Sequence, residues 1–283
     1  MKTRKSILAI LMILGLAIIY SSCKKDETTE PELPSQDTEV KAVEDDAIAD
    51  KLFSEVTDII NEAVGNHQSM LKNVILDTIF MGPCATVTID TLAFPHTVTI
   101  DFGPVNCLCR DGKLRRGKIN VSHTGPYWAV GTVVTTTFDN YFVNDHQLLG
   151  TKVVTNMGPN SSGNPTWTID IDGQVIKPDG EEIIWIGNRM REWVEGHGMP
   201  PFMWWDDVYH ITGSHNVVAS NGTTLSATII EPLEIALNCY WIRSGVIEMQ
   251  HSEFPLVILN YGDGTCDDQA TVTINGVTFG ITL

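Results

Sequence analysis

The sequence predicts a mainly β protein, either an antiparallel sandwich or an open barrel-like sheet, preceded by one amphipathic helix. Three observations carry that expectation. Apolar residues recur at every second position from Cys84 onward, turn dipeptides separate several of these runs, and a three-to-four-residue period is confined to one earlier stretch.

That earlier stretch runs from Asp45 to about Val64. Ile48, Leu52, Phe53, Val56, Ile59, Ile60 and Ala63 fall on one helical face, which suits packing against the β body. Asp45 and Asp46 suit the positive end of a helix dipole, and Gly65 stands where a C-cap glycine belongs. After Cys84, Ala85, Val87 and Ile89 alternate with Thr86, Thr88 and Asp90. The same alternation marks Val98–Phe102, Ile119–Val121, Trp167–Ile171, Leu225–Ile229, Ala270–Ile274 and Val277–Leu283. Strands with one wet face are antiparallel in habit, whereas strands of a parallel sheet are apolar throughout. Asn275-Gly276 between two such runs is a two-residue hairpin signal, and Asn144-Asp145, Asp179-Gly180 and Asn221-Gly222 are further turns.

The cysteines show an internal echo. Ile100-Asp101-Phe102-Gly103 precedes Cys107, and Leu259-Asn260-Tyr261-Gly262 precedes Cys266, each Cys four residues past the Gly. Cys84 and Cys239 lie upstream of each. This suggests disulfides Cys84–Cys107 and Cys239–Cys266 with Cys109 left over; a Cys84–Cys109 pairing is the alternative.

The chain has 283 residues, enough for a substantial core, and a net charge of −17. The first 22 residues carry Lys2, Arg4 and Lys5 and no acid, so their removal leaves 15 Lys and Arg against 35 Asp and Glu. Such a surface repels phosphates, which argues against nucleic acid as a partner. Those 22 residues have the parts of a secretory signal: the basic start, an apolar run from Ile7 to Ile19, then Ser21 and Ser22 before Cys23. The run is too short to span a bilayer, which needs roughly 20 residues.

Tyr20-Ser21-Ser22-Cys23 resembles a relaxed lipobox, with Tyr20 where an aliphatic residue is commoner, and is similar to those of Bacteroidota lipoproteins. Lys24-Lys25-Asp26-Glu27 resembles the signal that sends such lipoproteins to the outer face of the outer membrane. The resemblance covers only these segments. It implies a lipid on Cys23, a membrane partner through that lipid, and an outer-membrane location, surface-exposed or on the periplasmic face. Residues 23–44 then read as the lipidated Cys and an acidic tether without aromatics, and residues 45–283 as the folded domain.

No motif of catalysis stands out. Cys107-Leu108-Cys109 lacks zinc spacing, and Asp206, Asp207, His210 and His215 lack a metal-ligand pattern. Asp263–Asp268 and Asp170/Asp172 do not match a calcium loop, and G-x-S-x-G is absent. The sequence therefore calls for no metal and no cofactor. The stretch from Trp193 to Asp207, rich in Gly, Pro and aromatics, reads as an irregular loop leaving the sheet. Trp193, Trp204, Trp205, Asp206 and Asp207 are its candidate ligand-binding residues, because indole rings cover sugar faces while carboxylates accept from hydroxyls. The opposing reading packs these aromatics onto the core. The functional expectation is a lipid-anchored, non-enzymatic domain with a binding or structural role at the outer membrane, its partner a glycan or another envelope protein; the alternative is a glycan-binding surface lipoprotein using this loop.

Overall fold

The computed structural model describes residues 36–70, 81–197, 206–251 and 255–283. Helix α1 spans Gln36–Met70. A 3₁₀ turn at Gly82–Cys84 leads into strands β1 (Thr86–Asp90), β2 (His96–Asp101), β3 (Cys107–Leu108), β4 (Leu114–His123), β5 (Val133–Val143), β6 (His146–Pro159) and β7 (Pro165–Ile176). Strands β8 (Glu182–Glu195), β9 (Val208–Val218), β10 (Thr224–Ala236), β11 (Ser244–Gln250), β12 (Val257–Asp263), β13 (Gln269–Ile274) and β14 (Val277–Thr282) complete the chain.

The strands form one antiparallel sheet in nearly sequential order, β1-β2-β4 through to β14, with β3 paired to β4 alone. Of the two architectures the sequence allows, the open sheet is the one adopted, since β1 and β14 each pair on one side only. Register shifts within the β5–β6 and β9–β10 pairs bend and twist the strands. One face of the sheet lies against α1. The glycine-bearing turns work as the sequence predicts: Asn144 and Asp145 have φ 46° and 63°, and Asn275 and Gly276 have φ 53° and 74°, the left-handed pair that a type I′ hairpin requires.

Helix α1 starts nine residues earlier than the sequence predicts and runs through Gly65. Residues 36–44, expected in the tether, are thus helical, because Ala42 is fully buried and extends the apolar stripe by one turn. Asp45 and Asp46 consequently sit inside the helix, buried, where partners on the sheet hold them.

The core has two parts. The larger lies between α1 and the sheet, with Phe53, Val56, Ile59, Ile100, Leu148 and Trp185 among its most buried side chains. Phe53 packs near Phe138 and Trp185, with ring centroids 6.1 and 6.3 Å away. Gly173 permits this approach: a Cβ there would lie 2.2 Å from the Phe53 ring. The smaller part has a buried centre without rings, built from β9–β13 with Ile229, Leu233, Ile247, Met249 and Leu259; Tyr261 packs against it, and of the described apolar helix residues only Val43 does.

Both disulfides form as the cysteine echo suggests, Cys84–Cys107 and Cys239–Cys266, with Cα atoms 5.7 and 5.8 Å apart. Cys109 is the free, buried thiol. Burial raises its pKa, against the pull of the neighbouring Arg115.

Candidate functional site

The inner face of the sheet meets α1 along a seam of paired charges. Asp45 accepts from Lys177 Nζ at 3.1 Å and from the Ser220 backbone N–H and hydroxyl at 2.9 and 2.6 Å. Asp46 accepts from Trp185 Nε1 at 3.0 Å and lies 2.8 Å from His215 Nε2. Asp50 pairs with Arg189 at 2.6 Å, and Glu55 with Lys113. Asp46, Asp50 and Glu55 recur at spacings of four and five residues, so one helix face meets partners on β8 and β9 and beside the start of β4. A buried carboxylate without a partner costs several kcal/mol, so the seam fixes how the helix sits.

The His215 tautomer follows from its neighbours. Arg189 Nη2 lies 3.4 Å from His215 Nδ1, and a guanidinium only donates. Nδ1 therefore accepts, Nε2 carries the proton, and Nε2 donates to Asp46. Trp185 stacks on the imidazole at 4.6 Å. Both ring nitrogens are committed to the helix-docking network, which leaves this His–Asp pair a structural clasp rather than a general base.

Further along the seam stands Arg191, ringed by aromatics. Its guanidinium lies 5.0 Å from the Trp167 ring, 5.2 Å from Tyr209 and 5.8 Å from Tyr127, and it donates to the Tyr127 hydroxyl. Beside it is a cavity of about 30 Å³ lined by Thr57, Tyr127, Thr136, Lys152 and Arg191, with apolar walls from Ile60, Val134, Val154 and Ile169. Lys152 is 4% exposed and donates to the Phe53 carbonyl at 2.7 Å and to Thr57 Oγ1 at 2.5 Å. Burial, reinforced by the Arg191 and Arg189 charges, lowers its amine from 10.5 to about 7, while Asp58 and Asp50 pull the other way.

The sequence-derived site residues divide. Trp193 lies on β8, half-buried, stacked on Tyr209 at 5.7 Å and 6.5 Å from Trp167. Its strand continues to Glu195, so the connection to β9 begins later than the sequence predicts. Asp207 is buried, its carboxyl raised by burial, with the Tyr209 hydroxyl 3.3 Å away. Asp206 is half-buried, and Trp204 and Trp205 lie outside the described residues. His210 and His215 occupy opposite faces of β9, since their separation is odd, so the four-residue group with Asp206 and Asp207 does not converge. Asp263 and Asp267 hold local turns, accepting from Thr265 and Gln269.

Sequence reasoning missed Lys152, Arg189 and Arg191. Their signal is a cation at a strand position whose period-two neighbours are apolar, as in Val154-x-Lys152-x-Gly150-x-Leu148. A second feature it missed is an open groove of about 470 Å³ across the outer face of β6–β9, lined by Thr151, Asp170, Asp172, Asn188, Ser214 and Asn216 around Ile186. Its short polar side chains stand in two rows across the strands, where Thr151 faces Asp172, Asp170 faces Asn188 and Asn188 faces Ser214.

No protein-family model, no curated protein and no solved structure matches the chain.

Proposed function

We propose that this chain is a lipid-anchored exported protein whose β domain has a binding role at the outer membrane. The observation that carries this reading is the pair of disulfides, Cys84–Cys107 and Cys239–Cys266, in a chain that begins with a signal-like leader and a lipobox-like Cys23. Disulfides persist in oxidising compartments outside the cytoplasm, and acyl chains on Cys23 give the anchoring that one chain alone leaves marginal. The test is metabolic labelling with palmitate in the native host. Label is expected on the wild-type protein and absent from Cys23→Ala, and label that survives the substitution overturns the reading.

A second reading makes the ligand a glycan. The groove over β6–β9 favours it, because its hydroxyls, carboxamides and carboxylates suit a polyhydroxylated chain and its size falls in the range of ligand sites. Trp193 faces the inner aromatic cluster, so the groove is the better surface for this ligand than the Trp193 end of the loop. Affinity electrophoresis through gels containing dextran, mannan or xylan is expected to retard the protein, and Asp172→Ala with Asn188→Ala to restore its mobility. Unchanged mobility in all three gels counts against this reading.

A further inference from the structure

We infer that the cavity between Thr57 of α1 and Lys152 and Arg191 of the sheet is a binding site for a small monovalent anion of halide size. Four observations place it there. The cavity has about 30 Å³, room for one or two water-sized particles and too little for a tetrahedral oxyanion. Lys152, at 4% exposure, has three N–H groups when protonated, and two are taken by the Phe53 carbonyl and Thr57. The third has no partner among the described residues. Arg191 also lines the cavity, and its Nε–H is buried with no partner among the described residues.

Charge points the same way. With Lys152 protonated, Lys152, Arg189 and Arg191 bring three cations to this end of the seam. Asp50 is engaged by Arg189, and Asp58, whose carboxyl burial raises to about 6, acts on Lys152 and Arg191 through its charge but forms no salt bridge with either among the described residues. Arg191 is faced instead by the rings of Tyr127, Trp167 and Tyr209. An anion in the cavity accepts from both spare donors and balances the surplus. Apart from the Thr57, Tyr127 and Thr136 hydroxyls the remaining walls, Ile60, Val134, Val154 and Ile169, are apolar, which suits a weakly hydrated monatomic ion over a carboxylate or phosphate. The ion also ties α1 to β6 and β8 at once, so its binding and the helix docking support each other.

The probe is chloride, compared with gluconate at equal ionic strength on the purified protein. Ligand that binds the folded state alone raises the thermal midpoint, by about 4 °C at ten times the dissociation constant in a domain of this size. A saturable rise of that order in chloride, with broadening of the ³⁵Cl resonance by the wild-type protein, is expected. Lys152→Met and Arg191→Gln are each expected to abolish both effects; Arg191→Gln, nearer the aromatic rim, keeps the test alive if Lys152→Met does not fold. Equal midpoints in the two salts with an unbroadened resonance mean that the cavity holds water, and overturn the inference. A chloride effect that survives both substitutions places the ion elsewhere and overturns it too.

Discussion

The two halves of the core are built on different principles. Under α1, a helix fills a curved sheet: large rings such as Phe53 and Trp185 supply apolar area, and the Asp45, Asp46 and Asp50 carboxylates lock onto named partners on the sheet. Around β11–β14 only Val43 of the described apolar helix residues reaches the cluster, its buried centre holds no ring, and the last strand is open on one edge, with Phe279 49% exposed. In this second half a covalent link, Cys239–Cys266, stands where the first has a packed helix in addition to its own Cys84–Cys107. One continuous sheet therefore carries two levels of stability, because hydrogen-bonded ladders run throughout and the apolar area packed against them differs.

Substitution in the two clusters should separate these levels most strongly. Phe53→Ala removes a fully buried ring wedged against Gly173 and Trp185, and a loss of about 3–5 kcal/mol is expected. Leu259→Ala, in the thinner cluster, should cost nearer 2 kcal/mol, at the lower end for such a truncation. Urea denaturation of both variants measures the gap, and equal losses would erase the distinction between the halves.

Next in size are the disulfides. Their loops are similar, with separations of 23 and 27 residues, and each is expected to add about 3 kcal/mol on a chain-entropy account. The local consequences should differ. With Cys239 and Cys266 both replaced by Ser, amide exchange is expected to accelerate across β12–β14 and stay slow in β6–β8. With Cys84 and Cys107 replaced, protection under α1 should persist. Uniform acceleration across the sheet in both cases would show a single cooperative unit.

The last effect is gradual, a slope with pH. Lys152 titrates at about 7 in the folded protein and near 10.5 when unfolded. Between those values the unfolded chain binds a proton that the folded chain does not, so stability rises with pH from about 7 to about 10.5. One such proton contributes at most about 1.4 kcal/mol per pH unit. Below pH 7 the penalty for burying the charge is present in full. Urea midpoints measured in chloride-free buffer should show this rise in the wild type and a flatter profile in Lys152→Met; parallel profiles would remove the buried amine as its cause. Chloride should shift the onset of the rise upward, since a bound anion favours the charged amine.

How much was legible depended on the neighbourhood of each strand. β1, β2, β13 and β14 show unbroken alternation and are visible in the sequence. β8 is not, because its inner positions hold Arg189 and Arg191 while exposed Ile184, Ile186 and Met190 lie outward, which inverts the pattern. The start of α1 was hidden for a related reason: Asp45 and Asp46 read as a helix terminus when no partner is in view, and as interior residues once Lys177, Ser220 and His215 stand opposite them. Trp193 read as a loop residue because the Gly-His-Gly and Pro-Pro signals that follow it begin only three residues later.

The antiparallel β class and the tight turns could be read from the sequence, since alternation and left-handed turn residues are local properties; the cysteine echo pointed to both disulfide pairs but left Cys84–Cys109 open until the fold placed Cys107 beside Cys84. Tertiary structure alone decided that the sheet stays open, that it curves over α1, and that Lys152 and Arg191 meet at one cavity. Those outcomes rest on pairings between residues about 100 or more positions apart, such as Phe53 with Lys152 and Asp46 with His215. Their free energy exists only once the helix and the sheet have come together.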